Sequence, residues 1–187
     1  RQAGRSITAF EDLSIIGLDQ LPHTFPPDEH EVFIAITYAK NNQARRRTFL
    51  ALKQMGYRLA TFLSPHAHIA ANTIIGENCL ILEGVTLQPF TRIGDDVFIW
   101  CGSTVCHHST IGEHSFLASN VTVSGNVEVG EACFLGANAT LRDDIKIDSN
   151  TVIGAGTLLL HDAPGDSLFI GQPSQAADIP ASRLKTI

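Results

Sequence analysis

A six-residue pattern of apolar and polar positions runs through the middle of the chain, from residue 61 to residue 162. Cut into sixes from Thr61, this stretch gives seventeen hexads without insertion, and the third residue of each is Leu, Ile or Val. The first residue is mostly Thr, Ser, Ala or Cys, with Val four times and Ile once. A regular hexapeptide period is typical of a parallel β-helix, in which each hexad supplies one short strand and one corner.

A longer period of eighteen residues is superimposed on the hexads. An Ile-Gly or Val-Gly pair recurs at residues 75–76, 93–94, 111–112 and 129–130, and Ile147 followed by an acidic residue continues the series. Three hexads therefore make one coil, and the stretch predicts a triangular prism of about five and two-thirds coils. Inward Leu, Ile and Val stack in ladders, while Gly, Asn and Asp at the corners tolerate a positive φ.

The chain before the repeat predicts one strand–helix–strand unit. Residues 31–36 carry a continuous apolar run of strand length, and residues 57–63 read as a second strand. Residues 41–55 predict a helix, with Asn41 or Asn42 as its cap. The apolar face of this helix consists of Phe49, Leu50, Leu52 and Met55. This order suggests the back half of a small Rossmann-like domain, although the glycine-rich turn that opens such a domain is not found.

These patterns divide the chain into three parts. Residues 1–60 form the partial Rossmann-like domain, residues 61–162 the β-helix, and residues 163–187 a C-terminal tail. Within the tail, residues 181–187 are predicted as a short helix. The predicted fold class is therefore mainly β, with a small and incomplete α/β domain in front of it.

The fifth residue of each hexad is expected to face outward near a corner, and reading these positions every eighteen residues gives columns. One column places His107 next to Gly125, so that an imidazole adjoins accessible backbone. The neighbouring column becomes small in its lower half, with Ser119, Ala137 and Ala155 in line. A general base beside a backbone N–H, together with a trough for a thin extended ligand, favours acyl-transfer chemistry.

Composition disfavours several other classes of function. The formal net charge is −6, which argues against nucleic acid and acidic membranes as partners. The four cysteines fall inside hexads and form no C-x-x-C pair, which indicates reduced cysteines in a cytoplasmic protein rather than disulfides or a zinc site. No apolar stretch approaches eighteen residues. We therefore expect a cytoplasmic protein with no metal and no membrane partner.

Four segments make the chain resemble the hexapeptide-repeat sugar acetyltransferases, in particular the sialic acid O-acetyltransferases and the UDP-4-amino-sugar N-acetyltransferases. These segments are residues 33–36, 107–113, 124–126 and 171–173. The resemblance implies a left-handed β-helix behind a Rossmann-like domain, acetyl-CoA as co-substrate, and a sugar or nucleotide sugar as acceptor. It also implies a homotrimer with active sites between subunits and a role in surface polysaccharide biosynthesis. Three aromatic residues are expected on the flat outer faces, where they would favour subunit contact: Phe98, Trp100 and Phe116.

The resemblance assigns His107 as the general base and the N–H of Gly125 as the donor to the oxyanion. His108, also a catalytic candidate, departs from the family pattern, because a Glu or Asp commonly follows the base and increases the basicity of the imidazole. A second histidine cannot act there as an anion. A backbone carbonyl, Glu113 or Asp143 is therefore expected to orient the ring of His107, or else the base is less activated.

For acetyl-CoA, the resemblance implies a set of small residues along or close to the pantetheine arm: Gly125, Ala137, Ala155, Gly136 and Gly154. Phe116 is a further candidate and a second departure, because a close relative has a histidine there near the cofactor. The glycines also meet the ordinary needs of hexad corners, so they indicate the cofactor less strongly than the alanines do.

Two alternatives to a sugar N-acetyltransferase stay open. The first is a sugar O-acetyltransferase, because the residues do not distinguish an amine acceptor from a hydroxyl. The second is a β-helix that has lost catalysis and serves as a binding or scaffold protein, which the unusual His108 favours. A zinc carbonic anhydrase with similar repeats is disfavoured, since its three-histidine spacing is absent from this sequence.

Overall fold

The structure, a computed structural model, describes residues 9–10, 13–173, 175, 178 and 183, so most of the predicted helix at residues 181–187 lies outside the described part. Its main body is a parallel β-solenoid of about six coils, with three sheets along its sides. The aromatic sheet has seven strands: Phe62–Leu63, Leu80–Ile81, Phe98–Ile99, Phe116–Leu117, Phe134–Leu135, Val152–Ile153 and Leu168–Phe169. The threonine sheet has six: His68–Ile69, Thr86–Leu87, Thr104–Val105, Thr122–Val123, Thr140–Leu141 and Leu158–Leu159. The charged sheet has five: Ile74–Ile75, Arg92–Ile93, Thr110–Ile111, Glu128–Val129 and Lys146–Ile147.

Pairing between coils follows the predicted period of eighteen residues. Ile93 pairs in parallel with Ile75 in the coil above and with Ile111 in the coil below. The third residue of each hexad is buried from Ile81 to Ile153, so these side chains form the inward ladders. The first residues also point inward, since Cys79 and its equivalents in the following coils are buried. The mainly β fold and the coil of three hexads are confirmed.

Each sheet is joined to the next by a two-residue turn at the fifth and sixth positions of a hexad. From Asn78 to Gly156, every sixth residue has a positive φ, between 51° and 73°. Gly, Asn and Asp, which adopt this conformation most readily, occupy most of these positions. The exceptions are Phe90, His108, His114 and Ala132. Two of these exceptions are at the candidate site described below.

The solenoid has three corners, which differ in what surrounds them. The helix corner joins the charged sheet to the aromatic sheet and consists of residues 77–78, 95–96, 113–114, 131–132 and 149–150. The groove corner joins the aromatic sheet to the threonine sheet and consists of residues 83–84, 101–102, 119–120, 137–138 and 155–156. The histidine corner joins the threonine sheet to the charged sheet and consists of residues 89–90, 107–108, 125–126 and 143–144.

Before the solenoid, the structure contains the predicted strand–helix–strand unit in a shorter form. Glu31–Val32 and Arg58–Leu59 pair in parallel, and the helix Gln43–Gln54 connects them. In the described part of the chain, three further elements precede this unit: the antiparallel strands Ala9–Phe10 and Leu13–Ser14, and the helix Leu21–Thr24. A two-stranded sheet with one connecting helix is smaller than a Rossmann-like domain, so only this part of the predicted α/β domain is seen.

The connecting helix differs from its prediction in cap and apolar face. Asn42 precedes it with a φ of 64°, and its side chain makes no capping hydrogen bond. Its Nδ2 donates instead to a backbone carbonyl of the solenoid, 3.1 Å away. Phe49 and Leu52 are buried as predicted, but Leu50 and Met55 are exposed. The apolar face is narrower than predicted because the helix packs along a corner of the solenoid and not on a broad sheet.

The N-terminal unit packs on the middle of the outer face of the aromatic sheet, and the prediction of exposed aromatic residues there is wrong. Phe98 and Phe116 are each 1% exposed, and Trp100 is partly buried. Phe33 stacks on Phe98 with ring centroids 5.9 Å apart, and Tyr38 meets the ring of Phe116 edge-on at 5.0 Å. The repeat does point these rings outward. They contact a segment of their own chain that lies outside the repeat.

A buried ion pair joins the connecting helix to the helix corner. Nε of Arg45 lies 3.0 Å from Oδ1 of Asp96, and both side chains are fully buried. Nη2 of Arg45 donates to the carbonyls of Asp96, His114 and Ser115 at 3.0, 2.8 and 3.2 Å. Nδ1 of His114 lies 2.8 Å from the second carboxylate oxygen of Asp96. Burial lowers the pKa of Arg45, and the charge and hydrogen bond of Asp96 oppose this shift.

Candidate active site

His107 lies at the histidine corner, where its backbone is held from both sides. The strand Thr104–Val105 ends two residues before it. Its N–H donates to Oε1 of Gln88 at 3.0 Å, and its carbonyl accepts the N–H of Asn126, in the coil below, at 2.9 Å. The imidazole itself is exposed. An accessible ring on a rigid backbone meets the main requirement of a positioned general base.

Gly125 lies directly below this imidazole. A Cβ built on Gly125 would be 2.6 Å from Cε1 of His107 and 2.9 Å from Nε2, distances that real Cβ atoms do not show. The ring therefore rests on bare backbone, and the close approach requires a glycine here. The predicted column with His107 next to Gly125 is present in the structure.

His108 contacts His107 through a ring nitrogen. The two Nδ1 atoms are 3.2 Å apart, and the planes of the two rings are inclined by 79°. The ring of His108 also stacks on Phe90, in the coil above, with centroids 4.8 Å apart and an interplanar angle of 24°. Among the described residues, neither Glu113 nor Asp143 makes a hydrogen bond to the ring of His107. Of the side chains described, the one within hydrogen-bond distance of this ring is that of His108.

The N–H of Gly125, which we expect to serve the oxyanion, already has a partner. It donates to Oδ1 of Asp143, in the next coil down, at 3.0 Å. The side chain of Asp143 is exposed. Its charge also contributes to the raised pKa of the Cys106 thiol, although burial is the larger cause. A backbone donor is therefore present beside His107, and a carboxylate accepts its hydrogen bond.

A groove of about 360 Å³ opens beside the groove corner, on the outer face of the aromatic sheet. Four of the predicted cofactor residues line it: Phe116, Gly136, Ala137 and Ala155. Gly154 lies directly below Gly136, since a Cβ on Gly136 would be 2.8 Å from its carbonyl carbon. Gly125 is separate from this set and lies with His107 at the histidine corner.

Three aromatic residues that we did not predict also line the groove: Tyr38, Trp100 and Phe134. Phe134 lies eighteen residues after Phe116, and Trp100 lies eighteen residues before Ala118. The period of eighteen residues could therefore have predicted that both residues line the groove. Tyr38 comes from the N-terminal unit, and no repeat connects it to the solenoid. Its place beside the groove follows from the packing of its ring on Phe116 and Phe134.

His107 and the groove lie at different corners of the same chain, and the threonine sheet separates them. The outward side chains of this sheet include an aligned ladder of Thr86, Thr104, Thr122 and Thr140. One chain therefore presents the imidazole on one side of the threonine ladder and the groove on the other.

The described residues lack several other functional features. In that part of the chain, no three His, Cys, Asp or Glu side chains are grouped so that they could hold a metal ion. None of the helices in the same part has the length and hydropathy needed to span a bilayer. All four cysteines are free, with Cys79 and Cys133 buried and Cys101 and Cys106 partly exposed.

Comparisons with known proteins agree with this architecture. The family model for the bacterial transferase hexapeptide, in its six-repeat form, matches residues 90–125 and 126–161. A search of curated proteins found no match. PerB from Caulobacter crescentus, in complex with CoA and GDP-perosamine, is similar over 90% of this chain and 80% of its own, at 27% identity and a TM-score of 0.81.

Two more solved structures are similar to this chain. A histidine-to-asparagine variant of perosamine N-acetyltransferase from Caulobacter crescentus, with CoA and GDP-perosamine, matches 89% of this chain and 79% of its own, at 26% identity and a TM-score of 0.72. The acetyltransferase domain of PglB from Neisseria gonorrhoeae FA1090, with acetyl coenzyme A, matches 87% and 77%, at 23% identity and a TM-score of 0.77. The resemblance to hexapeptide-repeat sugar acetyltransferases is thus confirmed, and the PglB likeness shows a shared fold.

Proposed function

We propose that this protein is an acetyl-CoA-dependent acyltransferase that acetylates a sugar. The amino group of a nucleotide-linked amino sugar is our first choice of acceptor, and a sugar hydroxyl is the second. The observation that carries the proposal is the column at the histidine corner, where the exposed ring of His107 rests on the backbone of Gly125. The transferase family match and the similarity to PerB, crystallised with CoA and GDP-perosamine, support it.

His107 acts as a general base in a direct transfer. Its Nε2 takes a proton from the acceptor amine as the amine nitrogen attacks the carbonyl carbon of the thioester. The C–S bond then breaks, and the proton held on Nε2 passes to the departing sulfur. The products are the N-acetyl sugar and CoA thiol, the imidazole returns to its starting form, and no acyl-enzyme forms. Histidine suits this task because imidazoles exchange a proton readily near neutral pH.

The N–H of Gly125 becomes the oxyanion donor when Asp143 releases it. A carboxylate next to the developing oxyanion would oppose it by charge repulsion, so the two cannot share this N–H. Because Asp143 is exposed, its side chain can turn towards solvent. This rotation frees the donor and removes a negative charge from the reacting centre in one step.

The pantetheine arm of acetyl-CoA lies in the groove, along Gly136, Ala137 and Ala155. Small side chains let a thin extended chain approach the strands closely, and the rings of Tyr38 and Phe116 supply an apolar wall. Because Phe116 stands where a relative has a histidine, the cofactor is held at this point by packing and not by a side-chain hydrogen bond.

A complete site requires a second copy of the chain. In a homotrimer of left-handed coils with the threonine sheets turned towards neighbouring subunits, His107 of one subunit meets the groove of the next. We propose residues 61–162 as the transferase domain and residues 1–60 as the part that binds the nucleotide sugar. Residues 163–187 are the predicted C-terminal tail, but their first part still belongs to the solenoid, because Leu168–Phe169 pairs with Val152–Ile153 in the aromatic sheet.

The test is thiol release from acetyl-CoA in the presence of nucleotide-linked amino sugars, including GDP-perosamine, and of matching hydroxyl analogues. We expect release that depends on an amino sugar, and a loss of about 10² to 10⁴-fold in His107→Ala, with CoA binding retained. Release with hydroxyl acceptors alone would make the second choice correct. If no acceptor supports release and CoA does not bind, the enzyme proposal fails and a binding or scaffold protein is the better description.

A further inference from the structure

The ring of His107 has a partner that is not a carboxylate. Its Nδ1 lies 3.2 Å from Nδ1 of His108, within hydrogen-bond distance. A hydrogen bond between two ring nitrogens needs one N–H and one bare lone pair, so the two histidines share a single proton along this line. If His107 donates, its own Nε2 is bare and can accept a proton from a substrate. If His108 donates, neutral His107 carries its hydrogen on Nε2 and cannot act as a base.

His108 is held in place independently of His107. Its φ of 61° directs the side chain out of the corner, and its N–H donates to the carbonyl of Pro89 at 3.2 Å. Its ring stacks on Phe90, which occupies the equivalent corner position one coil above with a φ of 65°. Two non-glycine residues thus accept an unfavourable backbone conformation in adjacent coils, and the result is a fixed imidazole beside the base.

We infer that His108 is a positioning residue that accepts a hydrogen bond from Nδ1–H of His107. This contact holds His107 in the tautomer whose Nε2 is bare. A neutral imidazole thus takes the place of the Glu or Asp that follows the base in the family pattern. The inference rests on the proposed function for its catalytic meaning. The tautomer that it assigns to His107 is a property of the resting protein.

The pair also offers a place for the positive charge that forms during transfer. When Nε2 of His107 takes the acceptor proton, the Nδ1 proton can move along the hydrogen bond to Nδ1 of His108. The charge then resides on the second ring, farther from the substrate. When the departing sulfur takes the proton from Nε2, the Nδ1 proton returns to His107. The pair gains one proton and loses one proton in each turnover.

The groups around the pair do not provide a competing partner for either ring among the described residues. The flanking ionisable side chains are Cys106 beside the pair, Asp143 and Asp144 below it, and Arg92 and Glu128 on the charged sheet. Asp143 accepts from the N–H of Gly125, and Asp144 accepts from Nδ2 of Asn126 at 2.7 Å. The corner above carries Pro89 and Phe90, which do not ionise.

Three variants distinguish the positioning of His107 by His108 from a general disturbance of the corner backbone. His108→Ala removes the acceptor, and we expect kcat to fall by about tenfold to a hundredfold with KM for acetyl-CoA nearly unchanged. His108→Asn should recover most of this loss, because its Oδ1 can accept the same hydrogen bond and Asn occupies equivalent corners such as Asn126, with a φ of 56°. Asn150→Ala, at a corner with a φ of 62°, places the same Ala in the same backbone conformation far from His107 and should leave kcat unchanged.

The tautomer is measured directly with ¹⁵N-labelled histidine and long-range ¹H–¹⁵N correlation spectra. We expect His107 to carry its proton on Nδ1 in the wild type and in His108→Asn. In His108→Ala it should revert to the Nε2–H form that an unconstrained neutral imidazole prefers. An active wild type with Nε2–H on His107, or an unchanged kcat in His108→Ala, overturns the inference about His108 but leaves the proposed function standing. A protein with Nδ1–H on His107 but no transfer to any acceptor upholds the tautomer and overturns the proposed function.

Discussion

The imidazole of His107 lies against Gly125 so closely that no side chain fits between them. A Cβ on Gly125 would be 2.6 Å from Cε1 of His107 and 3.3 Å from Nδ1, so it would meet the ring across its face. The orientation of the base is therefore set by the coil below it as well as by its own corner. This relationship makes a residue without a side chain as important to the chemistry as the base.

Gly125→Ala is expected to abolish most of the activity without unfolding the protein. Gly125 does not have a positive φ, so Ala suits its backbone, but the new methyl group must displace the ring of His107. A misplaced base lowers kcat by about a hundredfold. The measurement is kcat together with the midpoint of urea unfolding. Ser124→Ala, one residue earlier, is the matched control and should behave as the wild type.

Asp143→Ala is expected to increase kcat, because it frees the N–H of Gly125 and removes a negative charge from the oxyanion. We expect the rate constant of acetyl transfer, measured in a single turnover, to rise by about threefold or more. Asp144→Ala removes the neighbouring carboxylate, which bonds to Asn126 and not to Gly125, and should have little effect. A marked fall in Asp143→Ala would mean that this carboxylate contributes to transfer itself, and that Gly125 is not the oxyanion donor.

Two inactive variants are expected to restore activity when they are mixed. His107→Ala removes the base, and Ala137→Trp blocks the groove, so each should be inactive alone. If every site takes its base and its groove from different subunits, refolding an equal mixture should give about a quarter of the wild-type activity. Thiol release measures it, with each variant refolded alone as the control. Inactivity of the mixture would place both halves of the site in one subunit.

Arg45→Leu is expected to cost about 3–5 kcal/mol in the free energy of unfolding. The change leaves the buried carboxylate of Asp96 without its cation and removes the donor from three backbone carbonyls. Arg46→Leu is the matched control, since Arg46 makes only a partly exposed pair with Glu131 at 3.5 Å. Its expected cost is below about 1 kcal/mol. Equal losses of stability in urea would show that the buried pair does not secure the helix.

The stability of the protein is expected to fall at alkaline pH because of two thiols. Burial raises the pKa of Cys79 from 9.0 to about 12 and that of Cys133 to about 11. Above pH 9 the unfolded chain therefore releases thiol protons that the folded chain retains, which favours unfolding. The slope is about 1.4 kcal/mol per pH unit for each thiol in this window.

Valine substitutions provide the control for this pH dependence. Val97 lies eighteen residues after Cys79 in the same inward column, so Cys79→Val and Cys133→Val suit the site. The double variant should lose stability less steeply between pH 9 and 11 than the wild type does, as measured by urea unfolding at each pH. Identical slopes would show that the two thiols do not titrate differently in the folded and unfolded chains.

The repeat makes much of this protein predictable. Once three hexads form a coil, the neighbours of any solenoid residue are found by adding or subtracting eighteen, and this placed His107 next to Gly125 and aligned Ala137 with Ala155. Contacts that do not follow the period of eighteen residues could not be predicted from the sequence. Arg45 and Tyr38 belong to a segment without a repeat, so their docking on the helix corner and on Phe116 depends on tertiary packing. The hydrogen bond from Gly125 to Asp143 depends on a side-chain rotamer, which no sequence period specifies.

Ile93 pairs with Ile75 and Ile111, which lie eighteen residues before and after it, so the solenoid is built from layers of eighteen residues. Each layer has only two neighbours, so adding or removing a block of eighteen residues would keep every other layer intact. A single residue inserted within a strand would instead disturb the alternation of inward and outward side chains in that strand, whereas a corner can absorb an insertion as a loop. Over evolutionary time, such a protein can lengthen or shorten by whole layers, and a site built on two or three of them can be carried unchanged into longer or shorter descendants.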